Sequence, residues 1–339
     1  MRRLRVLLIV AALLAFGITA GSSAVMAQGA GGHIRVAYAS IAANFAQTFI
    51  AKEAGLFDKY GLKNVELIYL GGGSMVSQAM ASGDVPFGLV AGSSLVPADL
   101  AGSNDILIAT PVATVTMSLF VRKDIKAVQD LKGLAVGISR FGSSTDLSAR
   151  YILKRFNLVP GKDVNILQLG GMPEVLAGMV NGAVAGGVTS MPTSLKLKKA
   201  GFIELVDLGS LGFAYPHAGA AVRGAFLKAN REETKNFLKG IIAGTAVYFK
   251  DKEYAKKVIA KYTRTTDPEI LEETYNYQAR YFPRIPYTSR EGVQVVLDDL
   301  IARNIPKAKE AKPEQFYDNS LLKELEESGF IAQVIAGIK

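Results

Sequence analysis

The chain has 339 residues, 49% hydrophobic and 20% charged, a globular composition long enough for two domains. It has no cysteine, which excludes disulfide staples, cysteine–zinc and iron–sulfur sites, cysteine nucleophiles and lipid attachment through an N-terminal cysteine. The formal net charge of +9 falls to +6 without Arg2, Arg3 and Arg5, a mild excess that sets association and solubility more than ligand identity.

Those three arginines open the chain, residues 6–16 form an unbroken apolar run, and Val25-Met26-Ala27 offers small residues for cleavage. The pattern predicts an export signal over residues 1–27. Its apolar run is shorter than the ~20 residues of a bilayer-spanning helix. The mature protein is therefore expected in the periplasm, released from its signal and not lipid-anchored.

A glycine-rich stub carrying His33 leads into the first of many short apolar runs. Strands are predicted at 34–39, 65–70, 85–91, 106–110, 117–122, 134–138, 164–169, 184–188 and 203–208. Most are continuous apolar runs, as for strands covered on both faces, and helix-length segments separate them. The alternation predicts α/β layers with mainly parallel sheets. From about Phe226 onward the chain reads as helical. Val293, Val296, Leu297, Leu300 and Ile301 share one helix face, as do Phe237, Ile241 and Tyr248, and Asp267-Pro268 reads as a helix cap. The aromatic residues Tyr275, Tyr277, Tyr281, Phe282 and Tyr287 are assigned to packing. No polar linker divides the chain. Crossings between domains are placed at 116–122 and 218–223, where the sequence looks like strand. The expected division is a lobe of residues 34–117 plus 222–339, with a second lobe of residues 118–221 inserted in it and two hinge strands between.

Ligand sites in open α/β sheets lie beyond the carboxyl ends of strands, where helices begin. Five such turns are rich in small hydroxyl residues and glycine: Ser40 with Asn44; Gly71 to Ser74, including Gly73; Gly92-Ser93-Ser94; Ser139 to Thr145; and Thr189-Ser190. Unpaired N–H groups and the positive end of the helix dipole favour an anion at such places. The fourth turn is the strongest candidate, because Arg140 adds a charge, Phe141 a stacking face, and Gly142, Ser143 and Ser144 further donors. Any one turn alone is explained by capping; the set points to a shared cleft. Tyr215 offers a second stacking face for an aromatic acid. His217 reads first as a hydrogen-bonded turn residue, the alternative being that it points into the cleft to sense pH or bind a carboxylate, and the cluster Lys196, Lys198 and Lys199 as a solvated face rather than a nucleic-acid surface. A Walker A motif, a dinucleotide fingerprint, a serine-hydrolase elbow and clustered metal ligands are all missing from the sequence. No enzyme activity, cofactor, metal or nucleic-acid partner is expected.

Several segments together carry a family resemblance. They are Glu53-Ala54-Gly55-Leu56-Phe57-Asp58-Lys59-Tyr60-Gly61-Leu62, Gly73-Ser74 through Gly83-Asp84-Val85-Pro86-Phe87-Gly88, Asp130-Leu131-Lys132-Gly133 with Gly142-Ser143, and Met179-Val180-Asn181-Gly182-Ala183-Val184. In this order they resemble the solute-binding proteins of ABC importers for nitrate, sulfonates and taurine, within the NMT1/THI5-like superfamily. The resemblance implies a type II periplasmic-binding fold, two α/β lobes closing by hinge motion on a small ligand, and a membrane permease as partner of a monomeric receptor. It places cleft positions on the turns at Ser40, Gly73-Ser74, Gly92-Ser93, Arg140 to Ser144, and Thr189. Where the family often has an aspartate, this chain has Ala185, which favours an anionic or neutral ligand. Two other roles on the same fold are a receptor that feeds a membrane sensor and a pyrimidine-forming enzyme; the latter relies on cysteines that this chain lacks.

Overall fold

The computed structural model describes residues 33–336 and 338, so the export segment expected over residues 1–27 lies outside the described residues. The chain first lays down β1 (Ile34–Tyr38), β2 (Val65–Tyr69), β3 (Phe87–Val90) and β4 (Asp105–Thr114). It then crosses through residues 115–117 into β5 (Ser118–Val121), β6 (Ala135–Ile138), β7 (Asn165–Gln168), β8 (Gly186–Thr189) and β9 (Ile203–Asp207). A return through residues 208–213 leads to β10 (Ala214–Arg223). Two five-stranded sheets result, ordered β2-β1-β3-β10-β4 and β7-β6-β8-β5-β9. Each belongs to one α/β lobe.

Both sheets are mixed. β1, β2 and β3 pair in parallel, and so do β6, β7 and β8. β10 runs antiparallel to β3 and β4, and β5 antiparallel to β8 and β9. The antiparallel strands are the ones that adjoin the crossings, since a chain entering a sheet from the other lobe arrives from the opposite end. The return crossing lies upstream of the expected 218–223, which is instead the second half of β10. Pro216 hid the first half, because proline removes a ladder donor. The strand tolerates it through register shifts against β4 between Ala214 and Ala220.

Helices cover both sheets. In the first lobe these are α1 (Ala46–Glu53), α2 (Leu56–Lys59), α3 (Gly73–Ser82) and α4 (Gly92–Leu100). The second lobe has α5 (Ser144–Arg155), α6 (Met172–Val180) and α7 (Thr193–Lys199). The tail adds α8 (Gly224–Ala229), α9 (Arg231–Lys250), α10 (Lys252–Thr263), α11 (Pro268–Ala279), α12 (Arg290–Ala302), α13 (Ser320–Glu327) and α14 (Phe330–Ile335). Asp267 caps α11 by accepting from the amides of Glu269 and Ile270. Phe237, Ile241 and Tyr248 of α9 are buried with Phe49 and Ile50 of α1, and Val293, Val296, Leu297 and Leu300 of α12 are buried on the opposite side of the first sheet. Burying each such side chain contributes about 1.5–3 kcal/mol, so tail and first lobe form one core. Tyr248 and Tyr275 stack at 4.6 Å, each hydroxyl donating to the other residue's carbonyl. Among the described residues no helix is long and apolar enough to cross a membrane.

One buried acid works against this core. Asp105, at the start of β4, is 1% exposed. Burial pushes its carboxyl up to about 6 against the weaker pull of Ser103, the neighbouring Asp99 charge adds to the rise, and Arg223 opposes it. A native carboxyl raised above its unfolded value costs nothing below the unfolded pKa and loses stability as pH rises through the native one. Asp105→Asn is therefore expected to stabilise the fold by about 2 kcal/mol at pH 8 and to leave it unchanged at pH 3.5. Urea midpoints at the two pH values check this; an equal shift at both would remove ionisation as the cause.

Candidate functional site

The carboxyl ends of β1, β3 and β6 and the first turns of α3 and α5 meet between the lobes. They enclose a cavity of about 20 Å3, lined by Ser40, Asn44, Gly72, Gly73, Ser139, Ser143, Ser144 and His217 together with apolar groups such as Phe45, Met117 and Met172. That volume is on the order of one water-sized space. No lining residue is acidic, lysine or arginine. Three polar atoms on it are buried without a partner: the Ser40 hydroxyl, Asn44 Oδ1 and His217 Nε2. Buried polar groups are hydrogen-bonded in the great majority of cases, so three orphans among the residues of one cavity make it the candidate site.

The turn before α5 owes its shape to its own hydroxyls. Ser139, Ser143 and Thr145 bond one another at 2.7–3.0 Å, and Ser143 also donates to the Arg140 carbonyl at 2.7 Å. The amide of Gly142 donates to buried Asp146, which also accepts from Arg150. Ser144 is the helix's first residue and faces the cavity.

The run Gly71-Gly72-Gly73 has a steric reason. Gly71 lies at φ +68°, and a Cβ on Gly72 would sit 2.6 Å from Cδ of Arg140. Arg140 thus reaches across from the second lobe, and its Nε donates to the Gly71 carbonyl at 3.1 Å. It stands beside the cavity and does not line it. Two further bonds join the lobes here: Ser94 Oγ donates to the Gly142 carbonyl at 2.8 Å, and the Ala43 amide to the Met191 carbonyl at 3.2 Å.

The sequence-derived positions therefore divide. Ser40, Asn44, Gly73, Ser143 and Ser144 converge on the cavity. Ser74 and Gly142 face an adjoining groove between α3 and α4. Gly92 packs on Pro216, where a Cβ would meet Cγ at 2.5 Å. Ser93 is buried away from the cavity with an unpartnered hydroxyl. Thr189 is fully buried and bonds Ser194 at 3.0 Å. Phe141 is 48% exposed, and Tyr215 is buried with its ring 6.2 Å from that of His217, so neither lies against the cavity as a stacking face. Burial raises the Tyr215 phenol's pKa.

The sequence left the first of three further features open and gave no sign of the other two. His217 is a strand residue on the cavity, 2% exposed, and burial pushes its pKa down to about 4, the Thr114 carbonyl opposing weakly. Lys199 joins the lobes by pairing with Asp267 at 2.7 Å and Glu269 at 2.6 Å across from α7 to α11, not forming a free face. His33 is paired with Glu66 at 2.6 Å. Only a chance proximity of residues far apart in sequence makes each contact, and no local pattern announces it.

Residues 42–255 match the model of the NMT1/THI5 like family. The chain is 22% identical over 278 residues to YtlA of Bacillus subtilis (strain 168), covering 78% of this chain and 82% of that protein. It shares its fold with the ligand-binding component of an ABC-type import system from Staphylococcus aureus, at a TM-score of 0.71, 15% identity, and 86% and 98% coverage of the two chains. The periplasmic nitrate-binding protein NrtA from Synechocystis PCC 6803 superposes at a TM-score of 0.72, 14% identity, and 90% and 91% coverage. The family model covers well over half of the chain, and this decides the relationship: this chain belongs to the NMT1/THI5-like family.

Proposed function

We propose that this chain captures a small oxyanion, or the oxyanion head of an organic solute, in the periplasm and delivers it to the membrane permease of an ABC-type importer. The observation that carries this reading is the pair of unpartnered buried groups able to donate, the Ser40 hydroxyl and His217 Nε2, around one cavity to which both lobes contribute; Asn44 Oδ1, an acceptor, does not count toward it. The first turns of two helices, α3 and α5, add backbone donors at their positive ends. The missing carboxylate favours an acceptor ligand, and Arg140 beside the cavity supplies a positive field without occupying it. A water-sized cavity counts against an aromatic acid, and even nitrate or a sulfonate head must part the lobes to enter it. The lobes, residues 34–114 with 214–336 and residues 118–207, turn about the two crossings, and a ligand that bonds both favours closure by its differential affinity. The Arg140–Gly71, Ser94–Gly142 and Ala43–Met191 bonds are then contacts of the closed form.

Isothermal titration calorimetry of the purified protein against nitrate, methanesulfonate, taurine, acetate, benzoate and a neutral pyrimidine tests this. One or more of the oxyanions is expected to bind, and Arg140→Ala to weaken it about tenfold, or ~1.4 kcal/mol. Binding of the pyrimidine alone, or of nothing in the panel, would end the reading.

A further inference from the structure

We infer that His217 selects a hydrogen-bond acceptor at the centre of the cleft and couples that choice to the outgoing crossing between the lobes. The inference rests on the capture reading above and adds the residue that sets its specificity.

His217 lies in β10, just after the return crossing. Thr116 lies in the outgoing crossing, 101 residues earlier. The Thr116 amide is 3.0 Å from His217 Nδ1, and its hydroxyl is 2.8 Å from the same nitrogen. A backbone amide can only donate, so Nδ1 must present its lone pair. The neutral ring then carries its proton on Nε2, which is buried and unpartnered, and His217 is one of the residues lining the cavity; the Thr114 carbonyl exerts only a weak pull on the ring. The tautomer is thus fixed by the hydrogen bond on the far side of the ring, as is general for histidine.

The ring is neutral in these surroundings. The residues lining the cavity carry no formal charge, the neighbouring aromatic ring is that of Tyr215, and Arg140 is directed to the Gly71 carbonyl. Burial also disfavours the imidazolium. Two consequences follow from the geometry. Nε2–H offers a donor and nothing else, so an oxygen of nitrate or a sulfonate fits against it and an ammonium group does not. A ligand oxygen on Nε2–H also polarises the ring and strengthens the Nδ1 contact to Thr116. The solute then tightens a side-chain link between the outgoing crossing and the strand that follows the return one.

The test uses the full chain labelled with nitrogen-15 histidine, with nitrate and methanesulfonate as probes. A His33→Gln background leaves His217 as the single imidazole. Its Nε2 is expected to carry the proton in the free protein, and the Nε2–H resonance to shift when the preferred anion is added. His217→Phe keeps the ring volume and removes the donor; it is expected to lose about thirtyfold in affinity. His217→Gln, whose amide nitrogen reaches the position of Nε2, should recover most of that loss. A proton found on Nδ1, or a His217→Phe protein that binds the anion within about twofold of the parent, overturns this inference while leaving capture intact. A parent chain that binds neither probe overturns the capture reading and this inference with it.

Discussion

Gly171→Ala is expected to reduce ligand affinity by about a hundredfold while leaving the fold's stability nearly unchanged. Gly171 precedes α6 in the second lobe at φ −121° and ψ −169°, a backbone that any residue adopts. Its ideal Cβ would lie 2.1 Å from the hydroxyl of Tyr69, the last residue of β2 in the first lobe. In its own lobe the nearest atom to the added methyl is Oε2 of Glu174, at 2.9 Å, at the end of a side chain that accepts from the Gly171 amide. It acts as a wedge between lobes. With the lobes apart there is room; with them together Tyr69 must move, and overpacking of this kind costs about 1–3 kcal/mol. Tyr69→Phe in the same chain removes the offending oxygen and leaves Cζ at an ordinary 3.4 Å, so the double variant should regain most of the affinity. Small-angle scattering should show the single variant staying extended at ligand concentrations that compact the parent. Undiminished affinity in Gly171→Ala would mean that the bound state is not the arrangement described here.

The second large effect concerns the fold itself. Gly244→Val is expected to destabilise the protein by about 4 kcal/mol and lower its thermal midpoint by about 10 °C. Gly244 is on α9 where that helix crosses α1. A Cβ there would lie 2.1 Å from the Gln47 carbonyl oxygen, 3.0 Å from its carbon and 3.2 Å from the Ala51 amide nitrogen. These are backbone atoms of a buried helix, and no rotamer change relieves them. The whole of α9 must lift, separating Phe237, Leu238, Ile241 and Ile242 from Phe49 and Ile50. Differential scanning calorimetry measures the shift, and a midpoint within about 2 °C of the parent would show that α9 can slide on α1 at little cost. This glycine also shows why the helical tail is part of the first lobe: backbone-to-backbone approach is possible only where side chains are absent.

Most strands were legible because their apolar runs are covered on both faces, so burial is written into consecutive residues; β2, β7 and β9 are more exposed. The helix cap at Asp267 and the apolar face of α12 were legible for the same reason, since their signals span only a turn or two of chain. The type II architecture followed from the family resemblance together with the order of such runs. β10 was half hidden, because Pro216 is a correct local argument against a strand that a register shift overrides.

Within the site, the sequence determined which turns carry hydroxyls and glycines, and the fold gathered Ser40, Asn44, Gly73, Ser143 and Ser144 around one cavity. It did not determine which groups remain free there. Arg140 looks like an anion anchor until its Nε is found on the Gly71 carbonyl, and His217 looks like a turn residue until Thr116 takes its Nδ1. Secondary structure answers to neighbours within about ten residues, whose periodicity a sequence displays. A donor or acceptor is left free according to partners a hundred residues away, and those are assigned only when the two lobes pack.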